Sequence, residues 1–205
     1  RLLAADLTAR VLVQQRVDVA VDAIDACRGE SPTLLKGISL SHYQYEAPHC
    51  RPMTDVDVLL AGRDAVEVAE RELLARGYWQ SAPVMWPDSH HAEPLYHPRT
   101  DTKLELHFAL FPAGSPLARS RAFSREALAR ESLQVEFHGR RVRRLSPELQ
   151  LVYLAATWNR DLSSQALDPS FVIGLFDAVA LTRPPFDWDR TLDLIDDGVV
   201  AASVD

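Results

Sequence analysis

Residues 51–60 are Arg51-Pro52-Met53-Thr54-Asp55-Val56-Asp57-Val58-Leu59-Leu60, an acidic pair that runs directly into an apolar segment. Successive side chains of a β-strand point to opposite faces, so Asp55 and Asp57 would share one face while Val56 and Val58 enter the core. Two adjacent carboxylates suit Mg²⁺, which commonly takes one or two protein carboxylates together with substrate phosphates. The same pattern is also common in solvated turns, so the pair alone leaves both interpretations open.

A candidate phosphate site lies upstream, in Leu34-Leu35-Lys36-Gly37-Ile38-Ser39. An apolar strand ends at Lys36-Gly37 and a helical pattern starts at Ser39, which predicts a strand-to-helix turn at the glycine. The unpaired amides at a helix N-terminus, with a lysine beside them, form a plausible anion site. The alternative is that Gly37 only permits a tight turn and that Lys36 is solvated.

A third carboxylate is supplied by a period-two strand pattern over residues 103–111. Its apolar positions are Leu104, Leu106, Phe108 and Leu110. Lys103, Glu105 and His107 therefore fall on the other face. If this strand lies beside the strand of Asp55 and Asp57, Glu105 completes an acidic triad that holds cations or accepts a proton.

These elements occur in an order and spacing that resemble the bacterial family of uncharacterised nucleotidyltransferases, a branch of the polymerase-beta-type nucleotidyltransferase superfamily. The resemblance covers roughly residues 30–112 and continues more loosely to about residue 190. It is carried by Leu34-Leu35-Lys36-Gly37, residues 51–60, a helix to Gly77-Tyr78, His90-His91, and Leu104-Glu105-Leu106-His107-Phe108.

The resemblance implies that Asp55, Asp57 and Glu105 are the catalytic metal ligands, and that Glu105 also serves as a possible base. In the superfamily a Gly-Ser or Gly-Gly pair holds the phosphates of the nucleotide. This chain departs from that pattern with Lys36-Gly37-Ile38-Ser39, where Ser39 substitutes.

The remaining site residues are placed by chemistry and by the shared strand face. Arg51 either contacts phosphate, since guanidinium forks onto phosphate oxygens, or pairs with a neighbouring aspartate. His107 and Lys103 are expected to contact either the metal-binding carboxylates or the acceptor. The full set of expected nucleotide contacts is Lys36, Gly37, Ser39 and Arg51.

The implied activity is transfer of a nucleoside monophosphate from a nucleoside triphosphate, with ATP as the favoured donor, to a hydroxyl of a small-molecule, peptide or protein acceptor. The implied cofactor is Mg²⁺ or Mn²⁺, and pyrophosphate is released. The alternative, prompted by the missing Gly-Ser pair, is a degenerate nucleotide-binding or protein-interaction module on the same fold.

The charge and the amino-acid composition of the chain limit the kinds of partner and the cellular location that we expect. A net charge of -7 over 205 residues argues against an extended nucleic-acid partner. The cluster Arg140-Arg141-Val142-Arg143-Arg144 is interpreted as a solvated strand edge rather than a binding patch. Cys27 and Cys50 fit no disulfide framework, and no apolar run is long enough to predict a membrane span, so we expect a cytoplasmic protein.

The predicted fold is α/β (α+β), a nucleotidyltransferase-like mixed sheet flanked by helices, with a C-terminal helical bundle. The predicted domains are residues 1–145, including an N-terminal helix, and residues 146–205. The N-terminal helix, residues 2–28, has an apolar stripe of Leu3, Leu7, Val11, Val17, Val21 and Ile24. Further strands are predicted at 34–35, 78–80 and 90–96, helices at 38–46, 63–76, 124–130, 147–158, 168–182 and 188–197, and a hairpin at 133–144.

Two further points concern whether the histidines bind zinc and whether two of the tryptophans are buried. His90, His91, His97 and His107 do not predict zinc, since adjacent His90 and His91 would point to opposite faces of a strand. Trp79 and Trp86 either line a pocket or belong to the core, and the core is favoured.

Overall fold

Strand β2 (Asp55–Leu59), which carries the acidic pair, is the central strand of a mixed seven-stranded sheet. The structure is a computed structural model that describes residues 2–81, 89–163, 170–195, 198 and 200–201. The strand order is β3-β4-β5-β2-β1-β7-β6. The other strands are β1 (Thr33–Leu34), β3 (Trp79–Gln80), β4 (Leu95–Tyr96), β5 (Lys103–His107), β6 (Ser132–Phe137) and β7 (Arg140–Leu145).

Seven α-helices lie in the described part of the chain. They are α1 (Leu2–Ala26), α2 (Lys36–Tyr43), α3 (Arg63–Ala75), α4 (Arg125–Glu131), α5 (Pro147–Ser163), α6 (Ser170–Leu181) and α7 (Trp188–Leu194). The predicted fold class is therefore confirmed. None of these helices is both long enough and apolar enough to cross a membrane.

The pairing around β2 determines which side chains meet. β2 is parallel to β5 and antiparallel to β1, while β4 is antiparallel to both β5 and β3. The register places Asp55 opposite Lys103 and Asp57 opposite Glu105. The adjacency of the two strands, on which the acidic triad depends, is thus present.

One face of this sheet is packed on helices α1 and α3. Val56, Val58, Leu104, Leu106 and Leu95 are buried there in a single cluster with apolar residues of the two helices, Val17, Val19, Ala20, Ala23, Ile24, Val66, Ala69 and Leu73. The predicted stripe on α1 is wrong in its first half. Leu3, Leu7 and Val11 are exposed, because α1 enters the core only from about Val13 onward.

Several predicted strands are longer than the observed ones. The pattern at 103–111 forms a strand only to His107. Within 90–96 only Leu95–Tyr96 is a strand, and His91 makes an isolated bridge to His107. Helix α2 begins at Lys36 rather than near Ser39, so Lys36 and Gly37 are its first residues.

The hairpin predicted about His138-Gly139 is formed by β6 and β7. Both turn residues have positive φ, 47° and 77°, as a two-residue hairpin turn with the twist of its strands requires. The interpretation of Arg140–Arg144 as a strand edge is wrong, since β7 lies between β1 and β6. Arg140 instead forms a two-point ion pair with Asp25 of α1, at 2.6 and 2.7 Å.

The chain divides into two compact units, one formed by Arg1–Pro112 and Gln134–Arg144 and the other by Ala113–Leu133 and Leu145–Asp205. In the second unit, Ser146 caps α5 by accepting a hydrogen bond from the Leu149 amide, a role for which serine is well suited. The buried Glu131 accepts hydrogen bonds from Arg190 at 2.6 and 2.9 Å. The domains expected at 1–145 and 146–205 stay a prediction.

Candidate active site

The side of the sheet opposite the α1 and α3 core carries the acidic side chains, and we call it the site face. Asp57 and Glu105 are directly paired there, and His107 lies two residues beyond Glu105 on β5. Ligand atoms of Asp57, Glu105 and His107 all lie within 4.8 Å of one another. This grouping arises because the parallel register of β2 and β5 aligns two sets of alternating polar residues.

Asp57 is the most enclosed of the three carboxylates, with 2% of its side chain exposed. Its Oδ1 atom accepts a hydrogen bond from Lys36 Nζ at 2.7 Å and from His107 Nε2 at 2.9 Å. A carboxylate only accepts, so His107 carries its proton on Nε2. His107 Nδ1 is buried without a hydrogen-bond partner among the described residues.

Lys103 connects the other two carboxylates. Its Nζ atom lies 3.0 Å from Asp55 Oδ2 and 2.9 Å from Glu105 Oε1. Glu105 Oε2 is also 3.6 Å from His107 Nε2. Each of the three carboxylates therefore has a lysine ammonium within ion-pair distance.

These contacts set the ionisation of the site. Burial opposes the charge of Asp57, yet the Lys36 ammonium and His107 hold the Asp57 pKa well below its usual value. Burial also opposes the charge of Glu105, but its contacts with His107 and Lys103 lower the Glu105 pKa to about 2, despite the nearby Asp57. Burial disfavours the charged form of His107, but the carboxylates of Asp57 and Glu105 favour it more strongly. The pKa of His107 is therefore raised.

Helix α2 starts next to this cluster. The Leu35 amide donates to the Asp57 carbonyl at 3.1 Å, which fixes the N-terminus of α2 beside β2. Leu35 is the N-cap residue and offers no side-chain cap. The predicted anion site is thus placed next to Asp57, with Lys36 as its first helical residue and the buried Ser39 in the same turn.

Gly37 has a steric role at this helix start. A methyl group at Gly37 would collide with the Arg51 guanidinium and lie 3.0 Å from Met53 Cβ. Arg51 therefore lies across the first turn of α2, and its Nη1 donates to the Pro52 carbonyl at 3.1 Å. The sequence left the position of Arg51 open, and the structure places it at the candidate phosphate site.

The histidines form a different arrangement from the one expected. The rings of His90 and His91 are 4.9 Å apart, and each is 5.2 Å from the ring of His107. The expectation that His90 and His91 point to opposite faces is wrong, because residues 90–94 do not form a regular strand. His97 lies elsewhere, with its ring 5.3 Å from that of Tyr78.

Two features of the site escaped the sequence analysis. Arg16 of α1 is partly buried and interacts electrostatically with Asp55, although burial lowers the Arg16 pKa overall. The second is that Lys36 and Lys103 are the two lysines of the chain. The other 20 of its 22 lysine and arginine residues are arginines. The position of both lysines beside the acidic residues could be read from the sequence, but their contacts with the carboxylates could not.

The low pKa of Glu105 has a measurable consequence for stability. A carboxylate whose folded pKa lies below its unfolded value stabilises the fold above the unfolded value, and this contribution is lost as the pH falls through the folded pKa. We expect the wild type to lose on the order of 3 kcal/mol relative to Glu105→Gln between pH 5 and pH 2, from the pKa of about 2 against 4.5. Urea unfolding of both proteins across this range measures the difference, and parallel pH profiles would contradict the expectation.

Known proteins resemble this chain in family and in fold. Residues 26–203 match the family described as uncharacterised nucleotidyltransferase. Among solved structures, the chain is similar to an antigenic nucleotidyltransferase-like protein from Paracoccidioides brasiliensis, with 13% identity and a TM-score of 0.55. That similarity covers 98% of this chain and 85% of the other, and at this identity it concerns the fold alone. No curated protein matches the chain.

Proposed function

Because this chain belongs to the family of uncharacterised nucleotidyltransferases, we propose that it transfers a nucleoside monophosphate from a nucleoside triphosphate to a hydroxyl group. The observation that carries the proposal is the in-register pairing of Asp57 with Glu105, beside the start of α2. ATP is the donor that we favour. The acceptor is a small molecule, a peptide or a protein, since the net charge of -7 argues against extended nucleic acid.

The proposed reaction is an in-line displacement. The acceptor oxygen attacks the α-phosphorus of the donor, a new phosphorus–oxygen bond forms, and the bond to pyrophosphate breaks with its electron pair leaving on pyrophosphate. The hydroxyl proton passes to Glu105 and then to water. The low pKa of Glu105 makes it a transient proton acceptor, so its main task is to supply negative charge.

The donor set suits a divalent cation. Asp55, Asp57 and Glu105 would hold Mg²⁺ through carboxylate oxygens. His107 belongs to the same 4.8 Å cluster, and its imidazole would become a ligand for Mn²⁺ only after Nε2 loses the proton that it donates to Asp57. When bound, such a cation neutralises phosphate charge and lowers the pKa of the acceptor hydroxyl.

The chain's own groups would hold the triphosphate. The amides of the first turn of α2 and the Lys36 ammonium are groups of the kind that bind phosphate, and Arg51 lies across the same turn. Ser39 is buried in this turn, and its hydroxyl has no hydrogen bond to another described residue, which leaves it available to a phosphate oxygen. Binding the phosphates at α2 orients the α-phosphorus toward Glu105 on β5.

One observation favours a second candidate, a degenerate nucleotide-binding or interaction module. The ammonium groups of Lys36 and Lys103 balance two of the three carboxylate charges, and His107, whose pKa is raised by the carboxylates, balances the third when it is protonated. With His107 protonated, the site does not depend on a metal for charge balance. In such a module nucleotide would bind without metal dependence and without turnover.

A thermal-shift experiment separates the two candidates. Wild type and the Asp55→Asn, Asp57→Asn double variant are compared with each of the four nucleoside triphosphates, with Mg²⁺ and with EDTA. Ligand binding stabilises the native state, so we expect one or more nucleotides to raise the Tm of the wild type when Mg²⁺ is present but not when EDTA is present. We expect this shift to be lost in the double variant. A shift of equal size in EDTA would favour a nucleotide-binding module. No shift with any nucleotide in the folded wild type would contradict the proposed transferase and favour a degenerate interaction module.

A further inference from the structure

A row of four paired residues crosses the site face from the acidic cluster to the sheet edge. Asp55 is opposite Lys103, Lys103 is opposite Tyr96, and Tyr96 is opposite Trp79. Directly paired residues point to the same face of a sheet, so both aromatic side chains lie on the site face. The neighbouring row, Val56, Leu104 and Leu95, is fully buried on the core face, which agrees with this assignment.

The two aromatic rings form a stacked pair that is open to solvent. Their centroids are 4.6 Å apart and their planes differ by 20°. Trp79 is 44% exposed, so the prediction that it belongs to the core is wrong. Stacking on Tyr96 covers one face of the indole and accounts for ordinary cross-strand stabilisation, but the exposed part of Trp79 remains available to another ring.

The aromatic pair and the proposed phosphate site lie on opposite sides of strand β2. Helix α2 follows β1, which lies on one side of β2, whereas Tyr96 and Trp79 lie on β4 and β3, beyond β5 on the other side. In-line displacement places the entering hydroxyl opposite the departing pyrophosphate. A triphosphate held at α2 therefore leaves the β5 side for the acceptor, and Tyr96, two strands from Asp55, is about 10 Å away across the sheet.

We propose that Trp79 and Tyr96 form the stacking surface for a planar aromatic ring carried by the hydroxyl acceptor. This inference rests on the proposed function and names the acceptor class. The group that this surface would recognise is a flat aromatic ring, and the nucleobase of the donor also contains such a ring. Base-to-aromatic stacking contributes about 1–3 kcal/mol per ring, so removal of the indole has a measurable effect on affinity.

The test measures binding by titration calorimetry with three probes in Mg²⁺. Tripolyphosphate occupies the phosphate site without a ring, ATP adds a nucleobase, and tyrosinamide, titrated in saturating tripolyphosphate, mimics a ring-bearing hydroxyl acceptor. The proteins are wild type, Trp79→Ala, Trp79→Phe and the control Trp188→Ala. Trp188 is a suitable control because it is 56% exposed, also contacts one aromatic ring, that of Phe186, and lies on α7.

If the ring belongs to the acceptor, tyrosinamide affinity falls about 5- to 150-fold in Trp79→Ala, is largely retained in Trp79→Phe, and is unchanged in Trp188→Ala. The ratio of ATP to tripolyphosphate affinity then stays constant. If that ratio falls in Trp79→Ala while tyrosinamide is unaffected, the stacked ring is the nucleobase of the donor, and the assignment of the surface to the acceptor is overturned.

Two further results also overturn the inference, and they are distinguishable from each other. Wild-type binding of tripolyphosphate with no effect of Trp79→Ala on either ring probe would leave the proposed function in place and remove the stacking surface. Failure of the wild type to bind tripolyphosphate in Mg²⁺ would overturn the proposed function and this inference with it.

Discussion

The Asp57→Asn variant is expected to lose nucleotidyl transfer by about three orders of magnitude or more, while it retains its fold. Asparagine keeps the shape of the side chain but removes the charge that Lys36 and His107 contact and that a cation would bind. Metal-assisted charge neutralisation contributes several kcal/mol to the transition state of such reactions, which corresponds to a loss of this size. Pyrophosphate release from ATP, measured with a coupled assay, gives the rate.

The control for this experiment is Asp101→Asn. Asp101 is exposed just before β5 and has a φ of 51°, a left-handed conformation that asparagine tolerates well. This variant should keep the wild-type rate. Should Asp57→Asn fail to fold, the same loss is expected of Asp55→Asn, which is partly exposed at the start of β2. Full activity in both site variants would refute the assignment of the carboxylates.

Replacing Lys36 with methionine should change metal binding and nucleotide binding in opposite directions. The Lys36 ammonium lies 2.7 Å from Asp57 Oδ1, so it competes with a cation for that oxygen. Without it, we expect affinity for Mn²⁺ alone to rise about tenfold. We also expect affinity for Mg²⁺-ATP to fall about 10- to 100-fold, the range for loss of a charged hydrogen bond. Electron paramagnetic resonance of free Mn²⁺ and calorimetry with ATP measure the two effects.

Lys36→Met should also change the stability of the fold and its dependence on Mg²⁺. Asp57 is buried and loses one of its partners, which should destabilise the fold in EDTA by about 2 kcal/mol, less than for a fully enclosed pair because Lys36 is about one-third exposed. Mg²⁺ should restore more stability to Lys36→Met than to the wild type. An equal response of the two proteins to Mg²⁺ would contradict competition between lysine and metal.

Arg28→Met is a close match as a control. Arg28 has a φ of 49° and Lys36 a φ of 43°, so methionine meets a similar left-handed backbone at both positions. Arg28 forms an exposed ion pair with Glu72 at 3.0 Å. Surface pairs of this kind contribute about 0–1 kcal/mol, so this variant should show a small loss of stability that does not depend on Mg²⁺.

The alternation of apolar and polar residues was the most reliable signal in the sequence. It predicted the faces of β2 and β5 correctly, because each strand has one face buried in the core and a one-residue slip would expose Val56 or Leu104. The adjacency of the two strands did not follow from alternation, since pairing of distant segments is fixed by tertiary packing. It followed from the family resemblance, and the observed register agrees with it.

The errors share a physical origin. A strand was predicted at residues 90–96, but only Leu95 and Tyr96 form one. His90 and His91 therefore do not follow the alternating side-chain directions of a strand, and both rings lie 5.2 Å from the ring of His107. In the stripe predicted on α1, the first three residues, Leu3, Leu7 and Val11, are exposed. Only its second half meets the sheet, which no local pattern encodes. The contacts of Lys36 and Lys103 also depend on side-chain geometry across strands, and the roles proposed for them stay predictions.

The use of lysine in this chain makes the acidic cluster directly observable. Lys36 and Lys103 are its two lysines, and each has an ammonium within 3.0 Å of a carboxylate. Isotope labelling directed at lysine would therefore give a spectrum with two side-chain ammonium resonances, both from this cluster. The arrival of a cation or a triphosphate would be recorded as movement of one signal or the other, residue by residue, in a protein with no substitution at all.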